Sequence, residues 1–325
     1  MTLCRPNAAR RGGTTAFVIY CLGWLIASLC PPLIAPTAAA ESAPAIGAIK
    51  KAAPPMWRVT DEDSEIWLVG TFHILPPGLE WRSAALDTAF EQAETYYFEV
   101  EADTAEAQQR TVQILMMKGF NPPGTTLSGL LDEPDAAKLA AVAHELGLPM
   151  AAIDPMRPWQ AFLTISVQFI VKQGFDPGSG VDSVLMAEAR KSGRMLRFFE
   201  TIDQQLSFFT DLEPETEKNL LVFTLREWED QKEDFDTLFA AWARGDAQAI
   251  DVLMNKSMRD VAPEIFDILI VDRNAAWAEK LAGVIENSGG KALVAVGAAH
   301  LVGEHSVPAL LEAKGLKVER YGAGE

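Results

Sequence analysis

Past Cys30 the sequence contains no cysteine, and its 325 residues include only four histidines. The three cysteines (Cys4, Cys21, Cys30) all fall in the first forty residues, which have the pattern of an export signal. Arg5, Arg10 and Arg11 precede an apolar stretch from Ala16 to Ala35. Ala38-Ala39-Ala40 then supplies the small residues that a signal peptidase accepts before Glu41. Loss of residues 1–40 leaves no thiol, which excludes a disulfide framework, a cysteine metal site and a cysteine nucleophile. The apolar stretch approaches the roughly 20 residues that span a bilayer. Pro31, Pro32 and Pro36 with the Ala-x-Ala site nevertheless favour cleavage over a retained anchor. The expected product is periplasmic or secreted, with no stable membrane anchor. Arg10-Arg11 lacks the Phe-Leu of a twin-arginine signal, and Leu29 before Cys30 is too large for a lipoprotein signal.

Basic side chains are also in short supply, 28 against 45 acidic. Three of the basic and none of the acidic residues lie in the export segment, so the remainder carries 25 against 45, a formal charge of −20. Such a surface repels nucleic acid and anionic headgroups, which leaves a peptide or small-molecule substrate as the expected partner.

Residues 41–56 read as an Ala/Pro-rich tether, and 57–325 as one domain of about 265 residues, long enough for its own core. Trp57–Thr60 and Glu65–Val69 read as a hairpin, Ser83–Ala93 as an amphipathic helix and Tyr96–Glu101 as a strand, giving a β-β-α-β opening. From Thr104 to Gly174 the pattern is mostly helical. Val181–Lys191 is a helix, Met195–Phe199 a strand, Glu213–Arg244 a long acidic helical region and Pro263–Asn287 another helix. Lys291–Val296 and Leu316–Arg320 are strands around a helix near Ser306–Lys314. The fold class expected is α/β: a central mixed sheet with flanking helices, a large helical insertion, and weak two-fold similarity between the strand–Gly-x-x-His–helix ends.

Those ends carry the chemistry. GTFH (Gly70–His73) and GAAH (Gly297–His300) each follow an apolar strand, and in open α/β sheets the residues just past the carboxyl ends of strands line the ligand crevice. If the two strands are neighbours, His73 and His300 share one site. Imidazole suits both proton transfer and metal ligation near neutral pH. The glycines Gly70 and Gly297 permit a sharp turn and close approach of a ligand. In YYFEVE, Glu99 and Glu101 are two apart and so leave the strand on one face, where a carboxylate serves as a general base or binds a cation beside imidazole. Glu200, ending MLRFFE, repeats the arrangement. His144 reads as a surface or helix-capping residue, His305 as a rim residue and Asp203 as a helix N-cap.

The series GTFHILPP, YYFEVE, GVDSVLMAEARKSGRMLRFFETIDQQLSFF, VDRNAAWAEKL and VAVGAAHLVGEHSVPALLEAKGLKVER resembles the TraB/GumN family, which includes the Tiki proteases of animals. The likeness implies a compact domain related to the erythromycin-esterase and ChaN-like group, with a metal-dependent peptidase activity. It makes His73 and His300 the central pair and Glu99 the matching carboxylate. Gly70, Gly297, Glu200, Gln205, Arg273 and Asn274 fall at its other motif positions, and Glu101 stands where a Tiki protein has Asp. On that basis His73, His300 and Glu99 hold one divalent ion (Mn, Co or Zn) with a position left for water. Glu101 or Glu200 accepts the proton, and Arg273 stabilises the oxyanion. Two other readings stand beside it: a metal-free His/Glu hydrolase of esterase type, and a non-catalytic binder of haem or another ligand, which needs an apolar slot wide enough for a porphyrin.

Overall fold

The computed structural model describes residues 49–322; the export segment and residues 41–48 of the tether lie outside the described residues. The chain is already bound to the domain before Trp57. Ala52 N–H donates to Glu80 O (2.7 Å), Ala53 N–H to Ala243 O (2.8 Å), and Pro55 O accepts from Gly70 N–H (2.9 Å).

Six strands form one sheet: β1 (Met56–Thr60), β2 (Ser64–Thr71), β3 (Thr95–Val100), β4 (Met195–Glu200), β5 (Gly290–Gly297) and β6 (Lys317–Arg320), in the order β4-β3-β5-β2-β1-β6. The four on one side, β4, β3, β5 and β2, are parallel, while β1 runs antiparallel to both β2 and β6. The β1–β2 hairpin is closed by Asp61, whose carboxylate accepts from Ser64 N–H (2.8 Å) and Asp63 N–H (3.2 Å), the local bonding that makes Asp a turn former. In β2, β3 and β5 nearly every residue is buried, as expected of parallel strands covered on both faces, so their sequences read as apolar runs rather than alternations.

Helices α1 (Ala84–Gln92), α2 (Ala105–Lys118), α3 (Glu133–Leu146), α4 (Pro158–Lys172), α5 (Val181–Lys191), α6 (Ile202–Thr210), α7 (Pro214–Arg226), α8 (Gln231–Ala243), α9 (Asp272–Ser288) and α10 (Val307–Ala313) surround the sheet, with shorter helical turns between them. Two long helical excursions thus separate β3 from β4 and β4 from β5. The acidic region Glu213–Arg244 is divided between α7 and α8. The helix that opens at Pro263 widens into a π-turn at Asp267–Val271 before α9, and a second π-turn occupies Val252–Lys256. Asp203 is not the cap of α6. Thr201 is, its hydroxyl accepting from Gln204 N–H while Gln204 Oε1 accepts from Thr201 N–H; Asp203 instead pairs with Arg110. Among the described residues no helix is long and apolar enough to cross a membrane.

Candidate functional site

Register places the two Gly-x-x-His turns side by side. β2 and β5 pair directly, with Thr71 opposite Gly297, and Phe98 of β3 lies opposite Ala295, so Glu99 leaves β3 at the same level. The first turn is fixed from behind by Phe72, buried among Phe239 (5.4 Å between centroids) and Trp242 (5.0 Å), while Trp242 Nε1–H donates to Gly70 O (2.9 Å). Val181 N–H, at the start of α5, donates to Phe72 O (3.0 Å). Gly180 before it lies so close to His73 that a Cβ there would stand 2.0 Å from the His73 carbonyl oxygen. The second turn, Ala298–Leu301, is held by two asparagines. Asn255 Nδ2 donates to Ala299 O (3.0 Å) and Val302 O (2.9 Å); Asn274 Nδ2 donates to His300 O (3.3 Å) and His305 O (2.8 Å).

Both imidazoles face one carboxylate oxygen. Glu99 Oε1 lies 3.7 Å from His73 Nε2 and 3.9 Å from His300 Nε2, and it accepts from Gly297 N–H at 2.7 Å. Glycine at 297 relieves this crowding. A Cβ there would stand 3.2 Å from His73 Nε2 and 3.3 Å from Glu99 Oε1. Behind each ring a polar group sets its orientation: Asp182 Oδ1 lies 2.9 Å from His73 Nδ1, and Asn274 Oδ1 lies 2.6 Å from His300 Nδ1. Arg273, buried at the start of α9, donates to Glu99 Oε2 (2.7 Å), to both Glu200 oxygens (2.7 and 3.0 Å) and to Leu269 O (3.3 Å), and its Nη1 lies 3.1 Å from His300 Nε2. Trp277 covers the group, its ring 4.7 Å from the guanidinium and tilted at 44° against the His300 ring (4.5 Å).

Charge in this buried cluster is sharply divided. Burial opposes a charged His73, but Asp182 and Glu99 outweigh it and raise the imidazole to about 9. Burial and Arg273 push His300 down to about 3, so it is neutral. Because arginine has only donors, the neutral ring must present its Nε2 lone pair to Arg273 and its Nδ1–H to Asn274. Burial would raise Glu99, yet Arg273 and the histidines hold it down at about 2, while burial keeps Glu200 above the usual carboxylate range against the pull of Arg273.

A cavity of about 250 Å³ opens onto His73, Glu99, Asp182 and Gln205, with Met186 and Phe98 among its apolar walls. Of the residues singled out in the sequence, His73, His300, Glu99, Arg273, Glu200, Gln205 and Asn274 come together here. Gln205 Nε2 donates to Glu99 Oε2 at 3.4 Å, and Gly70 packs beneath the first turn. Glu101 does not join them. β3 ends at Val100, so the two-residue strand repeat does not extend to Glu101, whose carboxylate pairs with Arg190 (2.8 Å) in solvent. Glu200 is also not placed to take a proton from a water in the cavity, because Arg273 and Trp277 Nε1–H occupy its oxygens. Nor does Arg273 have a donor to offer an oxyanion: its five N–H groups already have partners. It is a clamp on the carboxylates. His144 is an exposed residue in the last turn of α3, and His305 borders a separate polar cavity beside Asn255 and Phe266.

Sequence reasoning passed over Asp182, Gly180 and Asn255. The first two begin α5 in GVDSVLM, where an acidic residue in the first turn of a helix is ordinary. Asn255 sits in a π-turn that no periodicity announces.

Among the described residues no three His, Cys, Asp or Glu side chains already stand in metal-binding geometry. Two separations within the His73, His300 and Glu99 set are nevertheless within the reach of a single divalent ion. Two atoms ligating one ion at about 2.1 Å lie at most about 4.2 Å apart, which the separations of 3.7 and 3.9 Å satisfy. A polar group behind each Nδ1 is the usual support of a ligating imidazole. What stands against it is Arg273 Nη1, which must release His300 Nε2.

The TraB/PrgY/gumN family pattern matches residues 55–320. "Uncharacterized protein YbaP" of Escherichia coli (strain K12) is 24% identical over 190 residues, 58% of this chain and 69% of its own length. The protein of the same name from Shigella flexneri matches with the same figures.

Proposed function

Given that the chain belongs to the TraB/PrgY/gumN family, we propose that it is an exported hydrolase, acting on peptide bonds with the help of a divalent ion. One observation carries the reading: two imidazoles from opposite ends of the domain converge through Nε2 on the same Glu99 oxygen, at the edge of a cavity. His73, His300 and Glu99 would hold the ion, which supplies Lewis acidity and lowers the pKa of a bound water. Asp182 and Asn274 fix the two rings, and Arg273 with Gly297 N–H keeps Glu99 ionised. Met186 and Phe98 put apolar surface beside these groups, and low-dielectric surroundings strengthen charge interactions. His73 holds a proton to about pH 9 in the ion-free site, so loading the site releases one.

The ion-free hydrolase is the second reading, favoured by Arg273 on His300 Nε2 and by a cationic His73 able to protonate a leaving group. The haem reading is not favoured. The cavity is smaller than the roughly 300–1,000 Å³ clefts that enclose drug-sized ligands, and ionised groups line it.

The test is incubation of a mixed peptide library with the purified protein and with its His73→Ala variant, with Mn, Co or Zn and after chelation, reading new amino termini and bound metal. Cleavage that needs both His73 and the ion is expected. Cleavage that survives chelation selects the ion-free reading, and no new termini under any condition refutes both.

A further inference from the structure

Four of the six large apolar side chains exposed among the described residues fall within nine positions: Val112, Met116, Met117 and Phe120, with Met117 exposed to 80%. They lie on and just past the carboxyl-terminal half of α2. From Ala107 to Leu131 the sequence has no Asp or Glu, although acidic residues outnumber basic ones 45 to 28 overall. A cluster of exposed apolar side chains on so acidic a chain is a candidate binding surface, with Asp203 and Asp211 engaged by Arg110 and Lys118 on the adjoining face of the helix. Methionine suits such a surface because its flexible thioether adapts to varied apolar partners.

The patch adjoins the cavity beside His73 through Gln108. Gln108 lines that cavity, and Val112 and Met116 follow it at one-turn intervals along one flank of α2, beside the face that buries Ala107, Thr111, Ile114 and Leu115. At 1.5 Å per residue, the eight steps from Gln108 to Met116 cover about 12 Å, which an extended peptide spans in roughly four residues. We propose that this flank is an exosite for an apolar segment of an unfolded polypeptide substrate, seating that segment about four residues from the part that enters the cavity. The inference rests on the hydrolase reading and names its substrate class: extended chains with an apolar block rather than folded proteins or small esters.

The experiment uses two short unfolded peptides, one with a leucine block and its counterpart with serines in the block. Binding to the full chain carrying His73→Ala is measured by fluorescence anisotropy, before and after adding Val112→Gln, Met116→Gln and Met117→Gln together. The leucine peptide should bind more tightly than the serine peptide, and the three substitutions should weaken it by roughly tenfold or more, since each removes apolar area from the contact. Met195→Gln, an exposed apolar residue elsewhere, should leave binding as it was. In the chain with His73 intact the loss should fall on KM. Equal binding of the two peptides, or no effect of the three substitutions, overturns the exosite. So does a finding that they instead abolish self-association by sedimentation or adhesion to phosphatidylcholine vesicles. Block-dependent binding with no cleavage by the His73-containing protein leaves the exosite standing and refutes the hydrolase reading.

Discussion

Gly297→Ala should separate chemistry from stability. The backbone at 297 (φ −51°, ψ 136°) is open to alanine, so no conformational strain arises. The new methyl would stand 3.2 Å from His73 Nε2, 3.3 Å from Glu99 Oε1 and 3.6 Å from His300 Cδ2, against the ~3.5–4.0 Å of relaxed contact. Two of the three groups must therefore retreat by a few tenths of an ångström, against Asp182 and Arg273, which hold them. Overpacking of this kind costs about 1–3 kcal/mol, of which the stiffer unfolded chain returns about 0.4–1 kcal/mol. The methyl also fills the space between the three groups. A misplacement of about 1 Å can cost on the order of 100-fold, so a shift of a few tenths of an ångström together with a methyl in the reacting space should lower kcat/KM by about tenfold. Gly70→Ala is the contrast: its Cβ would meet the Pro55 ring at 2.9 Å and the Ala298 backbone at 3.2 Å, away from the imidazoles. Urea unfolding and peptide cleavage, measured on both variants, should rank them oppositely, with Gly70→Ala losing more stability and Gly297→Ala more activity. Cleavage by Gly297→Ala within threefold of the parent would refute the assignment of the space between Glu99 and the imidazoles as the reacting centre.

Stability of the ion-free protein should fall as pH rises. With His73 raised from 6.5 to about 9, its protonated form contributes fully below 6.5, and that contribution, on the order of 3 kcal/mol, is lost as pH climbs through 9. Urea midpoints at pH 6 and pH 9.5 should differ accordingly and converge in His73→Gln; a flat parent profile would count against the Asp182–His73–Glu99 arrangement. Arg273→Met should cost about 3–5 kcal/mol at pH 7 by leaving Glu99 and Glu200 buried without their cation. A loss under 1 kcal/mol by urea unfolding would show that the clamp is dispensable.

The strands and the nearness of His73 to His300 were legible because both follow from local pattern: apolar runs, each ending in Gly-x-x-His. Glu99 was legible for a similar reason, as a carboxylate ending a strand too apolar to be an exposed edge. Glu101 was misplaced because the strand stops one residue earlier, and alternation says nothing past a strand's end. Arg273 could be located but its role could not, since the partners that consume its five donors come from β3, β4, the π-turn and the second Gly-x-x-His turn. Asp182 illustrates the general limit. Its position in α5 is locally unremarked, and only the close approach of Gly180 to His73 brings it behind the ring.

The place of β5 in the sheet has a consequence for how the chain comes into being. Thr71 pairs with Gly297, 226 residues later, and β5 lies between β3 and β2, which do not pair with each other. During synthesis from the amino terminus, β2, β3 and β4 emerge first and must wait, with the edges that will receive β5 unpaired. Pairings so distant in sequence form slowly, and open edges of this kind invite aggregation. A nascent chain therefore carries His73 and Glu99 long before it carries His300, and the cluster is incomplete until its last central strand is threaded into place. Truncation before Gly290 removes the keystone of the sheet, so it should yield an insoluble product rather than a folded protein with an altered site.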